Sequence, residues 1–244
     1  MIECVINISE GRNLKLLDEL RGAAGPSMRD LHADEWHHRS VFTLINEPQL
    51  LAHDVRSLIG AAFDVLDLRR HEGVHPRFGV VDVVPFVALA PEESARATEL
   101  RDETARWISE DFDVPTFLYG ALEGSVRTLP NLGERPILVA WNIWLSGVSR
   151  DETRALAKAV RRHEVRSLAF RAGDYTQVSC NLIDPTVVVP SVVYDEVAAL
   201  LPEDGEIRRC ELVGLVPRNV LEAEERGRWA LLGLSEDQTI ESRL

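Results

Sequence analysis

Residues 69–79 read Arg69-Arg70-His71-Glu72-Gly73-Val74-His75-Pro76-Arg77-Phe78-Gly79 and join a long amphipathic segment to the apolar run 80–89. Two histidines and three arginines are concentrated here, in a chain of formal net charge −13. Two glycines and a proline indicate a loop between the two regular elements. Such a cationic loop is either a solvated connection or part of a functional site, and the spacing of its residues alone leaves both interpretations open.

Working outward from this loop, the first half of the chain predicts the order β-α-β-β-α-β. Apolar spacing predicts strands at 2–8, 28–33, 40–45 and 80–89, and helices at 14–24 and 48–66. An additional helix over 91–111 and a short strand over 116–119 follow. The stretch 120–135 is rich in glycine and proline, which is typical of a link between domains.

The second half repeats the same order. Strands are expected at 136–145, 165–170, 175–182 and 206–213, with helices over 151–163 and from Pro190 onward. The sequence therefore predicts an α+β fold of two tandem ferredoxin-like subdomains, 1–134 and 135–244, each an antiparallel sheet with helices on one face. After Pro217 a charged helix or tail is expected, with a solvated face over 222–228.

Bulk composition narrows the class of protein. The 244 residues are 45% hydrophobic and 27% charged, as in folded water-soluble proteins. No apolar run reaches the roughly 20 residues of a membrane helix. The N-terminus resembles a strand, not a signal peptide, and Cys4, Cys180 and Cys210 form no disulfide framework, so we expect a cytoplasmic protein. The acidic balance argues against nucleic acid as a partner.

Histidines dominate the candidate chemistry. One hypothesis is a metal-dependent hydrolase that uses a histidine cluster. Its ligands would be His32, His37, His71, His75 and Asp34, although no pair has a signature ligand spacing. The other hypothesis is a single histidine general base, which Arg70 and Arg77 would keep neutral while binding a carboxylate. Because glycine and proline oppose a helix at 71–76, the zinc-protease motif is not supported.

Seven motifs, in order along the chain, resemble a known family. They are ECVINISEG at 3–11, HRSVFT at 38–43, HPRFG with DVVPF at 75–86, DVPTFLYG at 113–120, RTLP at 127–130, QVSCNL at 177–182 and ELVGLVP at 211–217. In these motifs the chain resembles the formiminotransferase domain of glutamate formiminotransferase, the folate enzyme of histidine breakdown.

The resemblance implies a homodimer whose two ferredoxin-like subdomains hold folate between them. It implies transfer of a formimino group between N-formimino-L-glutamate and tetrahydrofolate, as co-substrate, with no metal. His75 matches the family's catalytic histidine, which would move a proton between the attacking amine and the transferred group. Substrate binding would fall to the positively charged or polar side chains Arg77, Arg39, His38, His32 and Arg127.

One departure from the family concerns folate. Family members carry a longer segment after the Arg-Thr-Leu-Pro motif, which includes an Asp-Phe-Gly-Pro element that contributes to folate binding. Here 129–136 passes almost directly into the strand-like segment 137–142. A shorter wall would leave the cleft more open to water. This favours a second hypothesis, a homologue that has lost folate catalysis and binds small molecules or a partner.

Overall fold

The computed structural model of the chain describes residues 1–119 and 131–244. These residues form two compact units, Met1–Ile137 and Leu138–Leu244. Each unit is built around one β-sheet.

The first unit contains a six-stranded sheet. Its elements are β1 (Ile2–Ile8), α1 (Leu14–Ala23), β2 (Met28–Asp34), β3 (Arg39–Asn46), α2 (Pro48–Val65), β4 (Val81–Ala88), α3 (Ser94–Phe112), β5 (Phe117–Tyr119) and β6 (Asn131–Glu134). The strand order is β2-β3-β1-β4-β6-β5. The first four strands pair antiparallel, and β6 pairs parallel with both β4 and β5.

The second unit contains a four-stranded antiparallel sheet. Its elements are β7 (Val139–Ser146), α4 (Arg150–Val160), β8 (Val165–Ala172), β9 (Tyr175–Leu182), α5 (Pro190–Leu200), β10 (Glu206–Val213) and α6 (Arg218–Glu222). The strand order is β10-β7-β9-β8. This order matches β4-β1-β3-β2 in the first unit. The prediction of an α+β fold with two tandem ferredoxin-like subdomains is thus confirmed.

Apolar periodicity explains how the first core forms. Alternate residues of β1 are fully buried on the face that the helices cover. In α2 the buried residues recur every three or four positions, which is the spacing of an amphipathic helix. Pro48 occupies the first turn of α2, where its missing N–H costs no hydrogen bond. The buried residues that carry these two patterns are Ile2, Cys4, Ile6, Ile8, Leu51, Val55, Leu58, Ile59 and Ala62.

The sequence analysis missed strand β6. It treated 120–135 as a turn-rich link, whereas Asn131–Glu134 pairs with β4 and β5 inside the first unit's sheet. Four residues that include Gly133 are too few to show an alternating pattern. The strand conformation here depends on hydrogen bonds to strands on both sides, which the local sequence does not reveal.

The chain after Pro217 is part of the second unit rather than a free tail. Its apolar residues Leu221, Leu232 and Leu234 are buried in the second core. Trp141 of β7 donates its indole N–H to the carbonyl oxygen of Leu232 at 2.7 Å. The expected solvated face over 222–228 is largely exposed, but Glu224 is buried and accepts a backbone hydrogen bond.

A buried amide in β9 gives a stability prediction. Gln177 is 0% exposed, and neither polar atom of its side chain has a hydrogen-bond partner among the described residues. Because an unpaired buried amide costs free energy, Gln177→Met should raise the free energy of unfolding by about 1 kcal/mol. Urea unfolding followed by circular dichroism measures this change.

The neighbouring Thr176 provides the matched control. Its hydroxyl accepts a hydrogen bond from Thr153 at 2.7 Å, so Thr176→Val should instead lower the free energy of unfolding by about 1 kcal/mol. If Gln177→Met destabilises the protein as much as Thr176→Val, the Gln177 amide is not an unpaired group.

Candidate active site

Three loops meet at one edge of the first sheet. Ile8, at the end of β1, pairs with Ser40 of β3 and with Val81 of β4. Because both pairings are antiparallel, the end of β1 lies beside the starts of β3 and β4. The segment after β1, the β2–β3 turn and the loop before β4 therefore lie together.

The loop before β4 is pinned against the β2–β3 turn. Val74 donates its backbone N–H to the carbonyl oxygen of Trp36 at 3.2 Å. Any side chain at Gly73 would collide with the carbonyl oxygen of His37. His38 adopts a left-handed backbone conformation with φ of 50°. These backbone contacts fix where the histidines of the two segments point.

His75 is a strongly perturbed titratable group at this edge. Burial, followed by the charge of Arg39 and the neighbouring His37, lowers the pKa of His75 to about 4. Its Nδ1 lies 2.9 Å from Nη1 of Arg39 and 2.5 Å from the carbonyl oxygen of Pro76. The ring centroids of His37 and His75 are 5.5 Å apart. At neutral pH this imidazole is uncharged and able to accept a proton.

Arg39 connects His75 to the strands. Its Nε donates to Oδ1 of Asn7 at 3.1 Å, and its Nη1 donates to Oδ2 of Asp82 at 2.7 Å. Asp82 is 2% exposed, and its other oxygen accepts the backbone N–H of Phe78 at 2.6 Å. The guanidinium of Arg39 thus connects β1, β3, β4 and the loop before β4 in one hydrogen-bond network.

A second polar group lies beside the first. Nε2 of His38 is 3.2 Å from Oε1 of Glu10, and its ring stacks on that of His71 with centroids 4.0 Å apart. Burial acts to raise the pKa of Glu10, but the backbone N–H groups of Asn13 and Arg12 together with His38 outweigh it, and the pKa is lowered. Burial also lowers the pKa of His71.

Of the predicted site residues, the structure places Arg39 beside His75, and His38 beside Glu10 and His71. Of the other predicted substrate-binding residues, His32 lies on β2 opposite Val41. Arg77 is half-buried and donates from Nη2 to the carbonyl oxygen of His71. Arg127 lies outside the described residues.

The expectation that Arg77 acts on the histidine base needs correction. Among the described side chains, the arginine whose charge lowers the pKa of His75 is Arg39, which is remote in sequence but adjacent in space. Arg77 instead lies beside His71 and contributes to lowering the pKa of that residue, after burial and His38. The side chain of Arg70 is outside the described part of the chain.

Sequence reasoning missed three polar residues of the site, namely Asn7, Glu10 and Asp82. Asn7 and Asp82 stand between apolar strand residues, so each carried a weak signal of being out of place, whereas Glu10 lies between Ser9 and Gly11 and carried none. Asp82 was the clearest, because it interrupts the apolar run 80–89. Their partners could be identified only once the strands were paired.

The five residues of the metal hypothesis do not form a single group. His75 faces His37, whereas His71 stacks on His38. Over residues 1–119 and 131–244, no set of three or more histidine, cysteine, aspartate or glutamate side chains is arranged to hold a metal ion. In the same residues, no helix combines the length and the apolar composition that crossing a membrane requires.

Comparison with known proteins agrees with the motifs. Residues 1–134 match the family model described as the formiminotransferase domain, N-terminal subdomain. All the site residues described above fall within this range.

Named relatives extend the similarity over the rest of the chain. Glutamate formimidoyltransferase of Thermoplasma acidophilum is 26% identical over 299 positions, covering 100% of this chain and 97% of the relative. The enzyme of the same name from Streptococcus pyogenes serotype M1 is 29% identical over 202 residues, or 66% of this chain and 68% of the relative. Formimidoyltransferase-cyclodeaminase of Rattus norvegicus is 26% identical over 91% of this chain, which spans only 51% of that longer protein.

These alignments also measure a difference in length. The alignment with the Thermoplasma protein has 299 positions and this chain has 244 residues, so at least 55 positions have no counterpart here. The relatives therefore contain segments that this chain lacks.

The low pKa of His75 predicts a pH dependence of stability. The pKa is about 4 in the folded protein and 6.5 ordinarily, so between these values the unfolded chain binds more protons. The contribution of the neutral His75 to the free energy of unfolding is therefore complete above about pH 6.5 and is lost as the pH falls toward 4. We expect His75→Gln to make the free energy of unfolding less pH-dependent in this window, as measured by urea unfolding.

The exposed His53 on α2 supplies the control, since His53→Gln should leave the pH dependence unchanged. The slope in His75→Gln should be shallower but not absent, because the pKa of His71 is also lowered. Equal slopes in the wild type and His75→Gln would contradict the assignment.

Proposed function

The chain belongs to the formiminotransferase domain family, and on this premise we propose that it transfers a formimino group between N-formimino-L-glutamate and tetrahydrofolate. The observation that supports this proposal best is the uncharged, half-buried imidazole of His75 within the family-matched region. A transfer between two nitrogen atoms needs such a group, because a proton must leave one nitrogen and reach the other.

His75 acts as the proton carrier in this proposal. The folate amine attacks the formimino carbon, forms the new carbon–nitrogen bond and gives its proton to the neutral imidazole. When the bond to the glutamate nitrogen breaks, His75 returns that proton to the departing amine. The imidazole ends the reaction as it began, and no external oxidant or reductant is consumed.

Arginines and histidines around His75 supply the substrate contacts. Both substrates carry carboxylates, which a protein of net charge −13 attracts only through local cations. Arg77 presents a planar fork of donors suited to a carboxylate. We assign His38, His32 and Arg127 to the same task, with Arg127 lying outside the described residues.

The remaining parts of the proposal concern the setting of the reaction. We propose a cytoplasmic homodimer that acts in histidine breakdown and uses tetrahydrofolate as its second substrate. The names of the relatives support the transferase part of this description. The choice of folate and formiminoglutamate as substrates rests on the resemblance of the sequence motifs to this family.

The length difference supports a second candidate function. At least 55 aligned positions of the Thermoplasma relative are absent here, and the family resemblance leads us to expect a missing segment after Pro130. If those positions supply folate contacts, the chain would bind a small molecule without transferring the formimino group. Isothermal titration calorimetry with tetrahydrofolate separates the two candidates, because micromolar binding supports the transferase and no binding supports the alternative.

A mutant comparison tests the proposed role of His75. Steady-state assays with N-formimino-L-glutamate and tetrahydrofolate should show glutamate release by the wild type. Because general acid–base catalysis contributes about 10²–10⁴-fold, His75→Gln should lower kcat by at least about 100-fold. Circular dichroism should show that the variant remains folded.

His53→Gln is the matched control in this assay, since it removes an exposed imidazole from the same unit and should keep wild-type kcat. The role of His75 is wrong if His75→Gln and His53→Gln turn over equally. Absence of turnover by the wild type would instead refute the reaction itself.

A further inference from the structure

The guanidinium of Arg39 is occupied inside the protein. Its hydrogen-bonding nitrogens contact Asn7 and Asp82, and the side chains of Arg39 and Asp82 are only 14% and 3% exposed. The same Nη1 that donates to Asp82 lies 2.9 Å from Nδ1 of His75. A substrate carboxylate would have to compete with an existing buried carboxylate for this cation.

The contacts at Nδ1 of His75 require opposite states of that atom. Arg39 can only donate a hydrogen bond, so it favours Nδ1 without a proton. The Pro76 carbonyl oxygen, 2.5 Å away, can only accept, so it favours Nδ1 with a proton. Only one of these contacts can be a hydrogen bond at a time. Nε2 can accept a proton only when Nδ1 carries its own and donates it to Pro76, so in that state Arg39 acts on the ring through its charge.

The charge of Arg39 adds a second effect. When Nε2 accepts a proton, the imidazole becomes a cation beside another cation, which is unfavourable in a partly buried site. Among the described residues, His37 from the β2–β3 turn and Asp34 from β2 also act on His75, and Asp34 partly offsets the arginine. Arg39 thus opposes a long-lived imidazolium.

We propose that Asn7 and Asp82 hold the guanidinium of Arg39 beside Nδ1 of His75, and that Arg39 is a positioning residue whose charge hastens release of the proton accepted at Nε2. This inference rests on the proposed transfer reaction. It gives Arg39 a role different from direct substrate binding, and it assigns Asp82 and Asn7 to the support of that role.

The experiment follows the titration of His75 by NMR in protein labelled at the histidine ring, together with steady-state kinetics. Arg39→Gln removes the cation and should raise the proton affinity of His75 about tenfold or more. In the same variant kcat should fall about tenfold or more, while KM for each substrate should stay within about threefold. Arg39→Lys retains the charge and should retain the low proton affinity.

A double variant keeps the test valid if Arg39→Gln fails to fold. Arg39→Met with Asp82→Asn removes both charges of the buried pair, and an asparagine oxygen can still accept the N–H of Phe78. It should show the same rise in proton affinity. Arg162→Gln, which breaks an ion pair with Glu196 in the second unit, is the control and should leave the His75 titration unchanged.

Two results would overturn the inference. One is an unchanged His75 titration in Arg39→Gln or in the double variant. The other is a KM increase of about tenfold or more at unchanged kcat, which would make Arg39 a substrate-binding residue. If the wild type shows no turnover, the proposed function fails together with the catalytic role of Arg39, whereas the titration still decides whether Arg39 controls His75.

Discussion

The buried ion pair between Arg39 and Asp82 is the contact on which the candidate site depends. The two residues lie on β3 and β4, which are not neighbours because β1 runs between them. The guanidinium crosses that strand and meets Asn7 of β1 on the way. Removing one charge would leave the other buried and unpaired, which is far more costly than losing an exposed pair. The pair therefore fixes the strand edge and, through Arg39, the ring of His75.

Two different electrostatic environments follow from this arrangement. On one side a cation and burial keep His75 neutral, and on the other a carboxylate faces His38. His75 and His38 thus lie beside groups of opposite charge, although both belong to the same edge of the sheet. This difference suits a reaction in which one group exchanges a proton while others bind charged substrates. The backbone contacts at Gly73 and Val74 hold the two sides together.

The sequence predicted the element order well because apolar periodicity and turn residues are local signals. Strand β6 escaped, because its four residues become a strand only between β4 and β5. In the site, His75, His38 and Arg39 could be selected from motifs. The arginine that contacts His75 could not be selected in this way. Nearness in sequence pointed to Arg77, whereas the pairing of the strands brings Arg39 to His75. Asp82 looked like a break in an apolar strand, and only strand pairing gave it a partner.

The proposed reaction moves a formimino group to folate, with His75 carrying the proton. The most direct measurement is glutamate release from N-formimino-L-glutamate with and without tetrahydrofolate, with the folate product followed in the same samples. We expect glutamate and formiminated folate to appear in equal amounts, and only when tetrahydrofolate is present. Glutamate release that does not depend on tetrahydrofolate, or no release at all, would contradict it.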